Sequence, residues 1–264
     1  MMRRRLLGGL LAACLAVSMV VGAPAKPAKA VDASFWINVA VSVAGSLFGG
    51  GGGGGVSPAQ LERAKREILG AINQSQQEIL AHIDGIAAAD VRACARSNTL
   101  LMPNIDQMDI FTLSVFLDSS LNCATLSSAY FDAVQDLGAA DHIARVMGEI
   151  YAIAMVTFAK FGFDSTPLLD DLIASYEAVL NRIKPWCGHS YGTIWDPEFA
   201  WVTEHTYACR AHTGDVESWT ELQAGSQTMN PIDYAFVETN VMRNTVRPSV
   251  LRELPRLKQI RANA

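Results

Sequence analysis

Positive charge is scarce in this chain. Its 264 residues hold 21 Lys+Arg against 26 Asp+Glu. Five of the positives (Arg3, Arg4, Arg5, Lys26 and Lys29) sit in the first 30 residues, which carry no acid. Beyond residue 30, 16 positives face 26 negatives, a net of −10. A protein built to hold nucleic acid needs a basic footprint, so nucleic acid is excluded as the main partner. The chain also lacks a Walker loop, a dinucleotide fingerprint, an HExxH pair and an EF-hand loop, so no cofactor is expected. It lacks the strand–helix alternation of an α/β sheet. Internal repeats are missing as well. Half of the residues are hydrophobic, which excludes a disordered chain and allows a sizeable core.

The N-terminus carries a recognisable pattern. Arg3-Arg4-Arg5 precedes an uncharged, mostly apolar run from Leu6 to Ala23, and Ala28-Lys29-Ala30 supplies small residues around a cleavage point. That order predicts a secretory signal peptide over 1–30, and hence a secreted, extracellular protein. Leu11-Ala12-Ala13-Cys14 resembles a lipoprotein box, with Cys14 as a minor alternative lipid anchor. Without Cys14 the cysteines are Cys94, Cys123, Cys187 and Cys209. An even count in an exported chain predicts two disulfides. Of the three pairings, Cys94–Cys123 with Cys187–Cys209 closes the shortest loops.

Residues 31–56 read as an apolar arm on a tether. The stretch 34–48 contains no charge, and Gly49 to Gly55 follow it. Fifteen helical residues reach about 22 Å, too short to cross a bilayer upright. The arm either folds into a groove of the body or uses Phe35, Trp36, Ile37, Leu47 and Phe48 to enter a membrane or a partner.

Residues 57–264 read as one helical domain. Ser57, Pro58 and Gln60 mark a capped start. Leu61 and Ile68, with Ile72, Ile79 and Ile86, suggest a seam running to about Cys94, interrupted at Ser75 and His82. The apolar run from Ile110 to Leu117 is expected to be buried, and 123–137 to be a separate amphipathic helix that stops at Gly138. Ala139 to Phe161 is expected to be a central core helix. Thr166 is expected to cap the next helix and Pro167 to open it, with a stripe of Leu168, Leu169, Leu172, Ile173, Tyr176, Val179, Leu180 and Ile183 that ends at Lys184-Pro185. From Arg243 onward there are six positives and one acid, Glu253, which suits a basic terminal helix on an acidic body.

Between Trp186 and Trp219 the composition changes to four tryptophans, two cysteines and three histidines, with recurrent Gly, Pro and Asp. This predicts an irregular, disulfide-tied segment. Gly188-His189-Ser190-Tyr191-Gly192 resembles the nucleophile motif of α/β-hydrolases, which would make Ser190 catalytic with an acid at Asp196 or Asp215 and a base at His205 or His212. That motif needs a strand–turn–helix mounting above a parallel sheet. Trp186-Cys187-Gly188-His189 resembles the disulfide-isomerase motif with Ser190 in place of its second cysteine. Cys187, Cys209, His189, His205 and His212 could surround zinc. Trp186, Tyr191, Trp195, Phe199, Trp201, Tyr207 and Trp219 could stack on sugar rings or grip a peptide.

The expectation is an all-α helical bundle with an irregular disulfide-tied aromatic segment and an N-terminal apolar arm. In plan it resembles secreted α-helical pore-forming toxins. The expected function is non-enzymatic binding to an extracellular protein, a glycan or a membrane surface, with membrane activity assigned to 34–48. The alternatives are a serine hydrolase using Ser190, and a zinc- or carbohydrate-binding protein using 186–219.

Overall fold

The computed structural model describes residues 34–49, 56–84, 86 and 88–264. The expected signal peptide, Cys14 and the tether from Gly50 to Gly55 lie outside these residues. Six helices come first: α1 (Ser34–Phe48), α2 (Pro58–Asp84), α3 (Ala89–Leu101), α4 (Ile110–Ala133), α5 (Leu137–Lys160) and α6 (Thr166–Arg182). Four strands follow: β1 (Trp186–Asp196), β2 (Ala200–Arg210), β3 (Val216–Ala224) and β4 (Gln227–Met229). Two more helices, α7 (Tyr234–Val241) and α8 (Arg247–Ala262), close the chain. The strands form one antiparallel sheet in the order β1-β2-β3-β4.

Local signals account for several boundaries. Ser57 and Gln60 form a reciprocal capping box, with Ser57 N donating to Gln60 Oε1 and Gln60 N to Ser57 Oγ. Asp109 caps α4 through the Thr112 amide and Asp136 caps α5 through the Ala139 amide, both at 2.7 Å. The expected long helix to Cys94 is two helices. It bends at Ser75, whose backbone leaves helical geometry (φ −136°, ψ 16°), and α2 ends at Asp84 just before Gly85 in the sequence.

The core is built around α5. Seventeen of its residues are buried, and α1, α2, α3, α4 and α6 all pack on it. α1 lies against α5, α2 and α8, with Trp36, Ile37, Ala40, Val41, Ala44, Leu47 and Phe48 in the core. An uncharged helix gains from apolar cover, and the bundle provides it on all but the side that carries Asn38 and Ser42. So the arm is docked, and four of its five named contact residues face protein; Phe35 is partly buried. The approach of α1 to α5 is close. A Cβ on Gly148 would lie 2.5 Å from the Trp36 carbonyl oxygen, so only glycine fits there.

One expectation about burial fails. Ile110 and Phe111 are 73% and 75% exposed, and Val115 is exposed too. The inward stripe of α4 is Leu113, Phe116, Leu117, Ser120, Ala124 and Ser127. Phe111 and Val115 lie off that stripe, and Ile110 opens the helix before it. The charged tail behaves as expected. Lys258 pairs with Glu177 and Arg261 with Asp170, so α8 lies along α6.

Among the described residues Lys65, Asp141, Glu149 and Glu253 are buried; Asp141 pairs with Arg145, and Glu253 with Arg252 and Arg256. Lys65 is buried but bridges Glu62 and Asp106, and Asp106 also receives Lys160. Burial pulls the Lys65 ammonium down, yet the two carboxylates outweigh it and hold it above its usual range. Glu149 on α5 has no counter-ion among the described residues. Burial raises its pKa from 4.5 to about 8, with the Thr99 hydroxyl opposing. Thr99 Oγ1 is 2.8 Å from Ala95 O and 2.6 Å from Glu149 Oε1. A hydroxyl has one hydrogen, so both contacts are hydrogen bonds when the carboxyl carries its proton.

The 186–219 segment is not irregular, and the molecule is not all-α. The segment holds most of a regular β-meander. Thr193, Ile194, Trp195, Trp201, Val202, Thr203, Thr206 and Tyr207 are β-branched or aromatic, and suit a pleated surface. Asp196, Gly214 and Asp215 lie at the turns, whereas Gly188 and Gly192 sit within β1. Asp196 Oδ1 accepts from the amides of Glu198 and Phe199, and Ala200 completes the turn at φ 64°. Gly214 and Gly225 take positive φ at the next two turns.

Candidate functional site

The sheet gathers most of the residues singled out in the sequence. At its base Cys187 and Cys209 stand directly opposite each other and are bonded, with Cα atoms 4.0 Å apart. Cys94–Cys123 joins α3 to α4. Both are the short-range pairings that loop closure favours. The two cystines are compatible with an oxidising, extracellular location.

Side chains alternate across a strand, so the register sorts them into two faces. Along β1 and β2 one face carries the pairs His189/Tyr207, Tyr191/His205, Thr193/Thr203 and Trp195/Trp201. β3 adds Trp219 and Glu221 to it. The rings form a continuous run. Tyr191 stacks on His205 (4.5 Å, 10°), His205 on His189 (5.1 Å, 23°), and His189 lies 4.9 Å from Tyr207. Tyr234 of α7 closes the run edge-on to Tyr207 at 4.8 Å. At the hairpin tip Trp195 and Trp201 meet edge to face at 5.4 Å. Tyr191, Trp195 and Trp201 are 71%, 61% and 68% exposed.

One hydrogen bond links the two imidazoles, and a carboxylate stands beside the second. His189 Nδ1 lies 2.9 Å from His205 Nε2, and His205 Nδ1 lies 3.5 Å from Glu221 Oε1. Glu221 also accepts from the Ile232 amide. Burial pushes the Tyr207 phenol up to about 12, and Glu238 of α7, which accepts its hydrogen bond, adds to the shift. A carboxylate, two imidazoles and a set of flat rings thus lie on one exposed face.

The sequence candidates divide on this geometry. Tyr191, Trp195 and Trp201 come together. Trp219 shares their face but is half-buried, edge-on to Phe236 of α7, with its indole N–H given to Asn230 O. Trp186 is exposed on the opposite face. Ser190 sits in mid-strand opposite Thr206, with its side chain on the other face from His189 and His205. It has neither the sharp turn nor the following helix of a nucleophile elbow, and the sheet is antiparallel. The thiolates proposed for zinc and for disulfide exchange are consumed in the Cys187–Cys209 bond. His212 lies in the β2–β3 turn, away from the strand positions of His189 and His205. Among the described residues no group of three or more His, Cys, Asp or Glu is placed to hold a metal ion.

Tyr207, already among the aromatic candidates of the sequence, is joined on this face by Glu221 and Tyr234, which the sequence reading missed. The chain matches no known family model, no curated protein and no solved structure.

Proposed function

We propose that this is an exported, non-enzymatic binding protein whose docking surface is the aromatic face of the β-meander. The observation that carries this reading is the exposure of Tyr191, Trp195 and Trp201 on one face of a cystine-pinned hairpin. Large rings left in water cost free energy unless something covers them in use. Tyrosine and tryptophan combine broad apolar area with a polar edge, and they dominate binding energy where they occur together. Thr193, Thr203, His205 and Glu221 supply hydrogen-bonding groups beside the rings. Flat rings flanked by such groups suit the apolar face and hydroxyl rim of a sugar, or the headgroup layer of a membrane.

Support for membrane action through residues 34–48 is weaker, because Trp36, Ile37, Leu47 and Phe48 would have to leave the core first. The hydrolase reading has less still, since the rings and imidazoles face away from Ser190.

The test reads the rings directly. Tryptophan emission is followed while the protein is titrated with soluble oligosaccharides, and separately with phosphatidylcholine–phosphatidylglycerol vesicles. A ligand of this face shifts the emission and protects it from iodide quenching. Neither effect survives in Trp195→Ala/Trp201→Ala. A ligand that binds the double variant as well as the wild type counts against the face.

A further inference from the structure

The outer edge of the sheet holds a second surface. β1 is an edge strand of 11 residues, paired on one side only, and every residue from Trp186 to Trp195 is exposed. Which main-chain groups face outward follows from two observations. Directly opposed residues in an antiparallel pair are about 5.5 Å apart when they exchange hydrogen bonds and about 4.5 Å when they do not. The 4.0 Å separation of Cys187 and Cys209 places them in the second class. Independently, Ala211 N donates to Asp215 O in the turn toward β3. The odd-numbered residues of β2 therefore direct their amides to β3, and the even-numbered ones to β1. By both routes Cys187, His189, Tyr191, Thr193 and Trp195 direct their N–H and C=O groups away from β2, into solvent.

Natural sheets blunt such edges with lysine, internal proline or bulges. β1 has none of them. Its register with β2 is unbroken, and Asp196, the last residue, is its one charged residue at neutral pH. Pro185 and Pro197 flank the strand and leave its whole length open.

We propose that β1 pairs antiparallel with β1 of a second copy of this chain, so that two four-stranded sheets become one. The strand is its own complement. A two-fold axis at Tyr191, its central residue, sets all eleven positions in register, and every outward-directed residue then faces another outward-directed one. Cys187 meets Trp195 of the second copy, Gly188 meets Ile194, His189 meets Thr193 and Ser190 meets Gly192. Small residues thus face larger ones along most of the strand. The two Asp196 side chains fall opposite Trp186, not opposite each other, so no like charges oppose. The bonds are main-chain bonds, so this pairing goes beyond the ring-mediated binding proposed above and does not depend on it. It also lays the aromatic faces of two copies side by side.

The test is sedimentation equilibrium of the oxidised full chain from about 1 to about 100 μM, where an interface of modest area shifts from monomer to dimer. The wild type is expected to reach twice the monomer mass. Tyr191→Lys and Tyr191→Glu each place like charges opposite each other at the axis and are expected to remain monomeric. An equimolar mixture of the two is expected to dimerise again. Thr193→Pro removes one outward N–H without taking a bond from β2, and is expected to be monomeric with an unchanged far-ultraviolet spectrum. A monomeric wild type across the range overturns self-pairing, even if the edge then accepts a foreign strand. Dimerisation of either lysine or glutamate variant alone, or failure of the folded mixture to dimerise, overturns the register centred on Tyr191.

Discussion

Replacing Glu149 with glutamine should make the protein more stable at neutral pH and change how stability responds to acid. Glu149 is buried on α5 with the Thr99 hydroxyl beside it and no counter-charge among the described residues. Its pKa lies at about 8 in the folded state against 4.5 for the free side chain. Between those values the folded chain keeps a proton that the unfolded chain has released. Stability therefore falls as pH rises from 4.5 to 8, and levels off above that. Each unit is worth about 1.4 kcal/mol, so the penalty is about 3 kcal/mol at pH 7 and about 5 kcal/mol above pH 9. Glutamine has nearly the same shape, cannot ionise, and offers an amide N–H to Thr99 Oγ1. The assay is urea denaturation of both proteins at pH 5, 6, 7 and 8. Background carboxylates titrate alike in both and cancel in the difference. That difference should grow in favour of Glu149→Gln by roughly 1.4 kcal/mol per pH unit up to about pH 8. A difference independent of pH would refute the assignment of a protonated, uncompensated carboxyl in the core.

Further outcomes follow from other contacts. Gly148→Ala pushes a methyl against the Trp36 carbonyl and should cost about 1–3 kcal/mol in thermal or urea unfolding, with α1 losing hydrogen-exchange protection before the rest of the bundle. Asp106→Asn leaves buried Lys65 with Glu62 alone. It should cost about 1–2 kcal/mol, toward the low end because Asp106 is itself half exposed. The Lys160 and Lys65 hydrogen bonds hold the Asp106 carboxyl below its usual range, so this contribution is present at neutral pH, begins to fall in the ordinary carboxylate range and is lost as pH drops through the lowered folded value. Reducing Cys187–Cys209, or changing both residues to serine, should lower stability by about 3 kcal/mol and expose the Tyr191–His205 stack to exchange broadening in NMR. Trp195→Ala/Trp201→Ala should leave the unfolding midpoint nearly unchanged, because both rings already stand in water.

Much of the helical part was legible before any coordinates. Ser57 and Gln60 announce a capping box through residue type and spacing alone, and they form it. Of the expected stripe, Leu169, Leu172, Tyr176, Val179 and Ile183 are buried and Leu168, Ile173 and Leu180 partly so, whereas Thr166 is the first residue of α6 and not its cap. The β-meander was harder. Cys187 to Asp196 mixes glycine, serine and histidine with two large rings, and no single residue there insists on a strand. Pairing does, and pairing joins residues up to 24 apart, from Trp186 to Arg210. Ser190 misled for the same reason: five letters match a motif whose meaning lies in its mounting. Ile110 and Phe111 misled in the opposite sense, since an apolar run shows that burial would be favourable but not that a neighbour is there to provide it.

Sequence alone determined the Ser57–Gln60 capping box, the cystine pairing and the identity of α5 as the central helix, because these rest on interactions within a few residues, on loop length, or on a run too apolar to face water. The tertiary fold decided that α1 lies inside, that the first turn of α4 stays outside, and that His189, Tyr191, His205, Tyr207 and Glu221 share a face while Ser190 does not. Those outcomes depend on strand register and on which surfaces meet, and both are properties of contacts between segments far apart in the chain.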